Sequence, residues 1–326
     1  MQQPSSAGKE NQNGLMKSFK SIICGLIVAA MALPLAAQTE TKESYQEKYN
    51  RMVQKSGAAG LGIETLLNKW LADYPGDADA LLGKFLYYYA KSQTSQVVVK
   101  DQKKFLGSDP VLTLADSLGK VSYYHEELFF DDDVFGQAIQ AADKMIRSYP
   151  DRIDLRFYKI AALTGYEKEN PDMAVSELRS LIDYNASVKP AWVHPEYEVN
   201  DDFLSAAIQE YCVTFFRYAT PASYEAFRSL SQRMLDYYPD NTMFLNNMGS
   251  YYFVVKKDEK NAQKYYSKVL KIKKDDNTAI RSCVLMYRQS KNVKMEKKYL
   301  ELMAKYGEKD TDRQSAQMRL EYLNKK

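Results

Sequence analysis

The phrase KWLADYPGDAD at 69–79 returns as KMIRSYPDRID at 144–154 and as RMLDYYPDNTM at 233–243. Each copy closes an apolar-periodic run with Tyr-Pro. Proline cannot continue a helix, and it biases its predecessor away from helical angles. Tyr74, Tyr149 and Tyr238 therefore mark the ends of three helices. Weaker copies follow as SLIDYNAS at 180–187, KVLKIKKDDNT at 268–278 and ELMAKYGEKDT at 301–311. The intervals constrain the fold most. Tyr149 to Tyr184 is 35 residues, Tyr238 to Lys273 is 35, and Lys273 to Tyr306 is 33. Such a period belongs to stacked helix–turn–helix units, none of which can bury its apolar face alone. Tyr74 to Tyr149 is 75 residues and Tyr184 to Tyr238 is 54, so individual repeats carry insertions. With 14 glycines and 10 prolines in 326 residues, turns are few and long helices are favoured.

Residues 241–276, NTMFLNNMGSYYFVVKKDEKNAQKYYSKVLKIKKDD, form the clearest unit. Leu245, Met248, Gly249 and Tyr252 space an apolar face along a first helix, and Ala262, Tyr266 and Val269 do so along a second. Stripes at i, i+4 and i+7 share one face of an amphipathic helix. Gly249 and Ala262 let the two helices approach closely, and the tyrosines fill the remaining space. Ala138, Ala142 and Met145 repeat the second-helix stripe, as do Ala174, Leu178 and Leu181, and Met295, Tyr299 and Leu302. On these residues the chain resembles the tetratricopeptide-repeat family, most sharply over 223–306. The resemblance implies an all-α fold, a tetratricopeptide-type helix–turn–helix solenoid of about six repeats. It also implies a scaffold that holds a protein or peptide partner on a concave face lined by first helices. On the clearest repeat that face would carry Asn246, Ser250 and Phe253, the expected partner-binding residues. Asn247 matches one position of the family's clamp for a terminal carboxylate. Ala279 and Cys283 stand where its next basic residues belong, which speaks against that ligand.

The first repeat runs from Ser44 to Tyr74, with its turn at Gly57–Gly60. The second opens at Asp77 and is interrupted over 93–132. Val97 to Val99, Val111 to Leu114 and Val121 to Tyr124 are β-prone, and Asp116-Ser117-Leu118-Gly119 separates the last two, which predicts a small β-hairpin insertion. Val134 to Tyr149 resumes the second repeat. The third occupies 152–185, with Pro171 opening its second helix. A second insertion at 187–201 holds Pro190, Trp192, His194 and Pro195. Phe203 to Tyr238 forms the fourth repeat, the fifth and sixth reach Tyr306, and 311–323 predicts a capping helix over the last apolar face.

At the N-terminus, Lys17 and Lys20 precede an apolar stretch from Ser21 to Ala36, and Leu35-Ala36-Ala37 supplies small residues before Gln38. That is the layout of a secretory signal peptide. Residues 1–37 read as a signal peptide with an upstream extension, with Met16 an alternative initiator, and 38–326 as the helical array. A membrane anchor is the competing reading, but a span needs roughly 20 apolar residues. The expected location is periplasmic or secreted, with the membrane touched only through the cleaved segment. Exported cysteines often pair. Cys212 and Cys283 fall on first helices two repeats apart, beyond the roughly 7 Å reach of a disulfide, and read as buried small hydrophobes. Removing residues 1–37 takes away Lys9, Lys17, Lys20 and Glu10, leaving 42 basic and 41 acidic residues. With no sustained basic run, nucleic acid is not an expected partner.

Catalytic constellations are sparse. His125 and His194 fall in different insertions, so neither a zinc cluster nor a histidine-dependent triad can be assembled. Asp131-Asp132-Asp133 lacks the ligand spacing of a calcium loop and reads as a helix start. Gly60-Leu61-Gly62 reads as a turn between helices, not as a dinucleotide loop. Asp116-Ser117-Leu118 resembles an O-glycan acceptor of some exported bacterial proteins, and a plain turn is the favoured reading. The expectation is a protein that is not an enzyme and that needs no metal or cofactor. The alternative is a carbohydrate-binding accessory protein that uses the aromatic pairs Tyr123-Tyr124 and Trp192-Tyr197 of the insertions.

Overall fold

Two of the three Tyr-Pro phrases and the Lys273 copy fold as one recurrent capped turn; at Tyr149 the Arg152 amide donates back to the Tyr149 carbonyl at 3.2 Å, but no side chain caps the next helix. The chain leaves the helix at Tyr74 with φ −135° and ψ 77°, at Tyr238 with −125° and 68°, and at Lys273 with −132° and 96°. Each of these N–H groups still donates to the carbonyl four residues back, at 2.8 Å. Three residues on, the N–H of Asp77, Asn241 and Asp276 donates back to the carbonyl of Tyr74, Tyr238 and Lys273 at 3.0–3.1 Å. The same three side chains then cap the next helix. Asp77 accepts from the amides of Asp79 and Ala80, Asn241 from Met243, and Asp276 from Ala279. First-turn amides have no partner inside their own helix, so a cap satisfies them. Lys273 adopts the tyrosine's geometry without a following proline. What repeats is the hydrogen-bonded turn, and Tyr-Pro is one sequence that makes it.

The computed structural model describes residues 40–325, so the expected signal peptide lies outside the described residues. Among them are α1 (Lys42–Ser56), α2 (Ile63–Asp73), α3 (Ala78–Lys91), β1 (Gln93–Lys100), β2 (Leu112–Ala115), β3 (Val121–Phe130) and α4 (Asp132–Ser148). There follow α5 (Ile153–Glu167), α6 (Asp172–Val188), α7 (Asp201–Tyr218), α8 (Pro221–Tyr237), α9 (Thr242–Ser250) and α10 (Glu259–Ile272). The last are α11 (Asn277–Gln289), α12 (Val293–Tyr306) and α13 (Asp310–Asn324). The chain is thus mostly helical with a small β insertion. It divides into two compact units, one holding α1 to α3 with Asp133–Ser148, the other holding the sheet and α5 to α13.

In the first unit, Tyr45, Tyr49, Ile63, Leu67 and Trp70 form the core. Tyr45 stacks on Trp70 at 5.8 Å, and its hydroxyl donates to Asp73 at 2.5 Å. Gly57 and Gly62 bound the turn between α1 and α2 with φ of 76° and 81°, a region that side chains with a Cβ resist. On α4 the expected stripe of Ala138, Ala142 and Met145 is buried, together with Phe135.

In the second unit, α5 packs on α6, α7 on α8, α9 on α10 and α11 on α12. Helix α8 also packs on α6 and α9, and α11 on α9 and α10. The stripes Ala174, Leu178, Leu181 and Ala262, Tyr266, Val269 are buried as expected. A Cβ built on Gly249 would stand 2.5 Å from the Tyr266 ring, so the close approach of α9 and α10 is real.

Three local expectations need correction. Helix α9 stops at Ser250 and Tyr251–Val255 forms a π-helical turn, closed by the Lys256 amide donating to the Tyr251 carbonyl at 3.2 Å. The wider turn shifts the register. Tyr251 is therefore buried, and Tyr252 is only half-buried, stacking on Tyr265 at 5.6 Å. On α12, Tyr299 is buried but Met295 and Leu302 are half-buried; Glu296 and Leu300 are buried instead, where α13 packs onto α12. The insertion is a three-stranded antiparallel sheet of order β1-β3-β2, not a hairpin alone. The predicted hairpin is β2–β3, and β1 adds to the other edge of β3 over eight residues.

Candidate functional site

Helix α10 carries two stripes. Ala262, Tyr266 and Val269 enter the core, and two residues out of phase run Lys264, Lys268 and Lys271. At 3.6 residues per turn those three ammonium groups share one face. Helix α8 approaches that face, and an open groove of about 520 Å³ lies between them. Leu235 of α8, Pro239, Leu245 of α9 and Tyr265 line it with apolar surface; Gln232, Ser267 and the three lysines supply its polar groups. Lys268 is engaged, its Nζ donating to the Pro239 carbonyl at 2.6 Å and standing 3.3 Å from Asp240. Lys264 and Lys271 bond no described protein group. An apolar floor under two unengaged cations suits an extended segment that carries aliphatic and acidic side chains. The groove lining holds no histidine, cysteine or carboxylate.

The three expected partner-binding residues fall on α9 and the turn after it but meet different surroundings. Asn246 is 7% exposed; its Nδ2 donates to Asp276 Oδ1 at 3.1 Å, and its own Oδ1 has no hydrogen-bond partner. Ser250 Oγ stands 3.2 Å from the Tyr266 hydroxyl, and Phe253 is half-buried in the π turn. Asn247 is buried and exchanges hydrogen bonds with Gln209 at 2.6 and 3.0 Å, with Ser231 at 3.1 Å. Ala279 and Cys283 are buried as well, so these clamp positions present nothing to solvent.

In the loop between α6 and α7, Trp192 donates from Nε1 to Asn185 Oδ1 at 2.9 Å, and Asn185 donates to the Tyr238 hydroxyl at 3.1 Å. The Arg156 guanidinium lies 5.4 Å from the Trp192 ring and 5.5 Å from the Tyr184 ring. Desolvation there lowers the arginine's pKa. This geometry anchors the loop to the helices. His194 accepts from the Glu196 amide through Nδ1, at 3.1 Å, and its ring rests on Tyr197 and Phe203. Burial lowers the His194 pKa, partly opposed by Asp154 and Glu196. Tyr197 stays exposed.

Tyr123 and Tyr124 are neighbours within β3 and so point to opposite faces; they cannot form one aromatic platform. His125 sits in β3 and not in a loop. It is buried, with Nε2 3.1 Å from the Gln102 carbonyl and Phe105 against its ring. Asp132 opens α4 and accepts from the Tyr166 hydroxyl at 2.8 Å. Cys212 and Cys283 are free and buried, and burial pushes both thiols up to about 12, so neither is a nucleophile at neutral pH. Among the described residues, no group of three or more His, Cys, Asp or Glu could hold a metal ion, and no helix is long and apolar enough to cross a membrane.

The groove was not singled out from sequence. Its lysine row is readable at i, i+4 and i+7, but such a row usually marks a solvated helix surface. Only the approach of α8 turns it into a wall. Comparison with known proteins finds no family model and no curated protein that matches the chain.

Proposed function

We propose that this chain is an exported tetratricopeptide-type scaffold that holds a segment of another protein and performs no chemistry of its own. The observation that carries the reading is the groove between α8 and α10. An extended segment laid there would bury an aliphatic side chain against Leu235, Leu245 and Pro239. Acidic side chains on the same segment would meet Lys264 and Lys271. Exposed ion pairs contribute about 0 to 1 kcal/mol each, so the apolar anchor supplies most of the affinity and the lysines supply selectivity. The capped turn shared by Tyr238 and Lys273, 35 residues apart, supports the tetratricopeptide assignment, and Tyr74 makes the same turn in the first copy. Packing of α8 on α6 and of α11 on α9 supports a solenoid order in that unit. Ser250 and Phe253, both half-buried, leave the first-helix side a second place for a partner, whereas Asn246 is buried against Asp276 and presents little to one. The carbohydrate alternative has less support, since Trp192 is engaged by Asn185, Tyr184 and Arg156.

Fluorescence anisotropy with a labelled peptide of alternating glutamate and leucine, about ten residues long, tests the groove. Saturable, salt-sensitive binding is expected, weakened about tenfold by joint Lys264→Glu and Lys271→Glu. Lys294→Glu, on α12 outside the groove, should leave it unchanged. Equal affinity in the double variant would remove the groove from the account, and no saturable binding at all would remove the peptide-holding role.

A further inference from the structure

The β-sheet has one face covered around its centre and one face that is bare. Residues directly opposite in an antiparallel pair share a face, and alternate residues along a strand return to it. Val97 lies opposite Glu126, Val99 opposite Tyr124, and Leu128 opposite Ser95. Leu112 lies opposite Tyr124 and Leu114 opposite Ser122. Val97, Val99, Leu112, Leu114 and Leu128 therefore stand on one face around Tyr124. All five are exposed, from 40% at Leu128 to 62% at Val97. The opposite face is covered around His125 and Glu127, while Phe129 and Val121 at its ends stay 42% exposed. His125 is buried under the segment after β1, and Lys168 at the end of α5 lies 3.8 Å from Glu127 and against the Phe129 ring.

With five aliphatic side chains 40% to 62% exposed, the bare face presents on the order of a few hundred Å² of apolar surface, the size of a functional patch on a typical monomer. A standard interface takes about 800 Å² from each partner, a little over half of it apolar. The face is therefore large enough to form the apolar centre of one side of a stable dimer. Its charge pattern selects the occupant. Glu126 is the one charged side chain at these register positions, and it accepts from Ser95 Oγ at 2.6 Å. A charged partner would find nothing to pair with. The surrounding segment 93–132 carries seven carboxylates against four lysines, which disfavours an anionic membrane surface. A surface that is flat, aliphatic and nearly uncharged is complementary to itself, and an isologous two-fold contact needs that property.

We propose that this face docks against the same face of a second copy of the chain, two sheets stacked about 10 Å apart. Sedimentation velocity of the purified chain from about 1 to 100 μM tests it. A dimer is expected over this range. The joint substitutions Val97→Glu and Leu112→Glu should weaken it at least about 100-fold with an unchanged far-UV circular dichroism spectrum, since both side chains are already in water. Leu61→Glu, 98% exposed in the turn between α1 and α2, should leave the dimer intact. A wild-type chain that stays monomeric at the highest concentration overturns the proposal. So does a dimer that survives the double substitution, or a monomer that instead binds phosphatidylcholine vesicles through Val97 and Leu112.

Discussion

Replacing Gly249 by alanine measures how tightly α9 and α10 are joined. The added Cβ would lie 2.5 Å from Tyr266 Cε1 and 2.8 Å from both Cδ1 and Cζ. Carbon atoms pack best at roughly 3.5 to 4.0 Å, so the ring must withdraw by about 1 Å. It has nowhere to go. Tyr266 is fully buried, and its hydroxyl meets Ser250. Overpacking of this kind costs about 1 to 3 kcal/mol. Against it stands the helical preference of alanine over glycine, about 1 kcal/mol. Because the clash is with a ring and not with the end of a flexible chain, the upper part of the overpacking range applies and the net loss should be about 1 to 2 kcal/mol. Urea unfolding followed by circular dichroism should show a lower midpoint with an unchanged slope. Gly136→Ala on α4, where a Cβ meets nothing within 4 Å, carries the same helical gain without the clash. It should raise the stability of its own unit by about 0.5 to 1 kcal/mol. In a Tyr266→Leu background the penalty at Gly249 should shrink or reverse. An alanine variant as stable as wild type with Tyr266 intact would refute the packing argument.

Two further outcomes follow from buried groups. Ellman's reagent at pH 8 should leave Cys212 and Cys283 unlabelled in the native chain and label both in urea, because burial excludes the reagent and raises both thiol pKa values to about 12; rapid native labelling would contradict the core placement. Glu296, 2% exposed, accepts from Arg288 Nε and Arg319 Nε, each at 2.9 Å. Burial raises its pKa, but the bonds from Arg319 and Arg288 outweigh that and hold it below the ordinary carboxylate value. A folded pKa below the unfolded one gives stability that is present above about pH 4.3 and is lost as pH falls through the folded value. Glu296→Gln should cost about 1 to 2 kcal/mol, allowing for solvent around the half-exposed arginines, and hydrogen exchange of α13 should speed up at pH 7. Unchanged protection of Asp310–Asn324 would show that α13 is held by packing alone.

What the sequence determined by itself is the local frame. Proline after Tyr74, Tyr149 and Tyr238 stops a helix whatever surrounds it, and the i, i+4, i+7 stripes of α4, α6 and α10 commit one face of each helix to the core. The positions of most helices, the turn at Asp116–Gly119 and the burial of both cysteines were therefore legible. Tertiary structure decided where distant segments meet. Strand β1 pairs with β3 across some twenty intervening residues, and β-prone composition does not name a partner. The π turn after Ser250 exchanges Tyr252 for Tyr251 in the core, although both belong to the same run of apolar residues. The groove exists only because α8 closes one side of a lysine row that, on an isolated helix, would simply be hydrated. Backbone preference and apolar periodicity act within a few turns of one helix, whereas pairing, register and concavity depend on which surfaces are left to bury once those helices have formed.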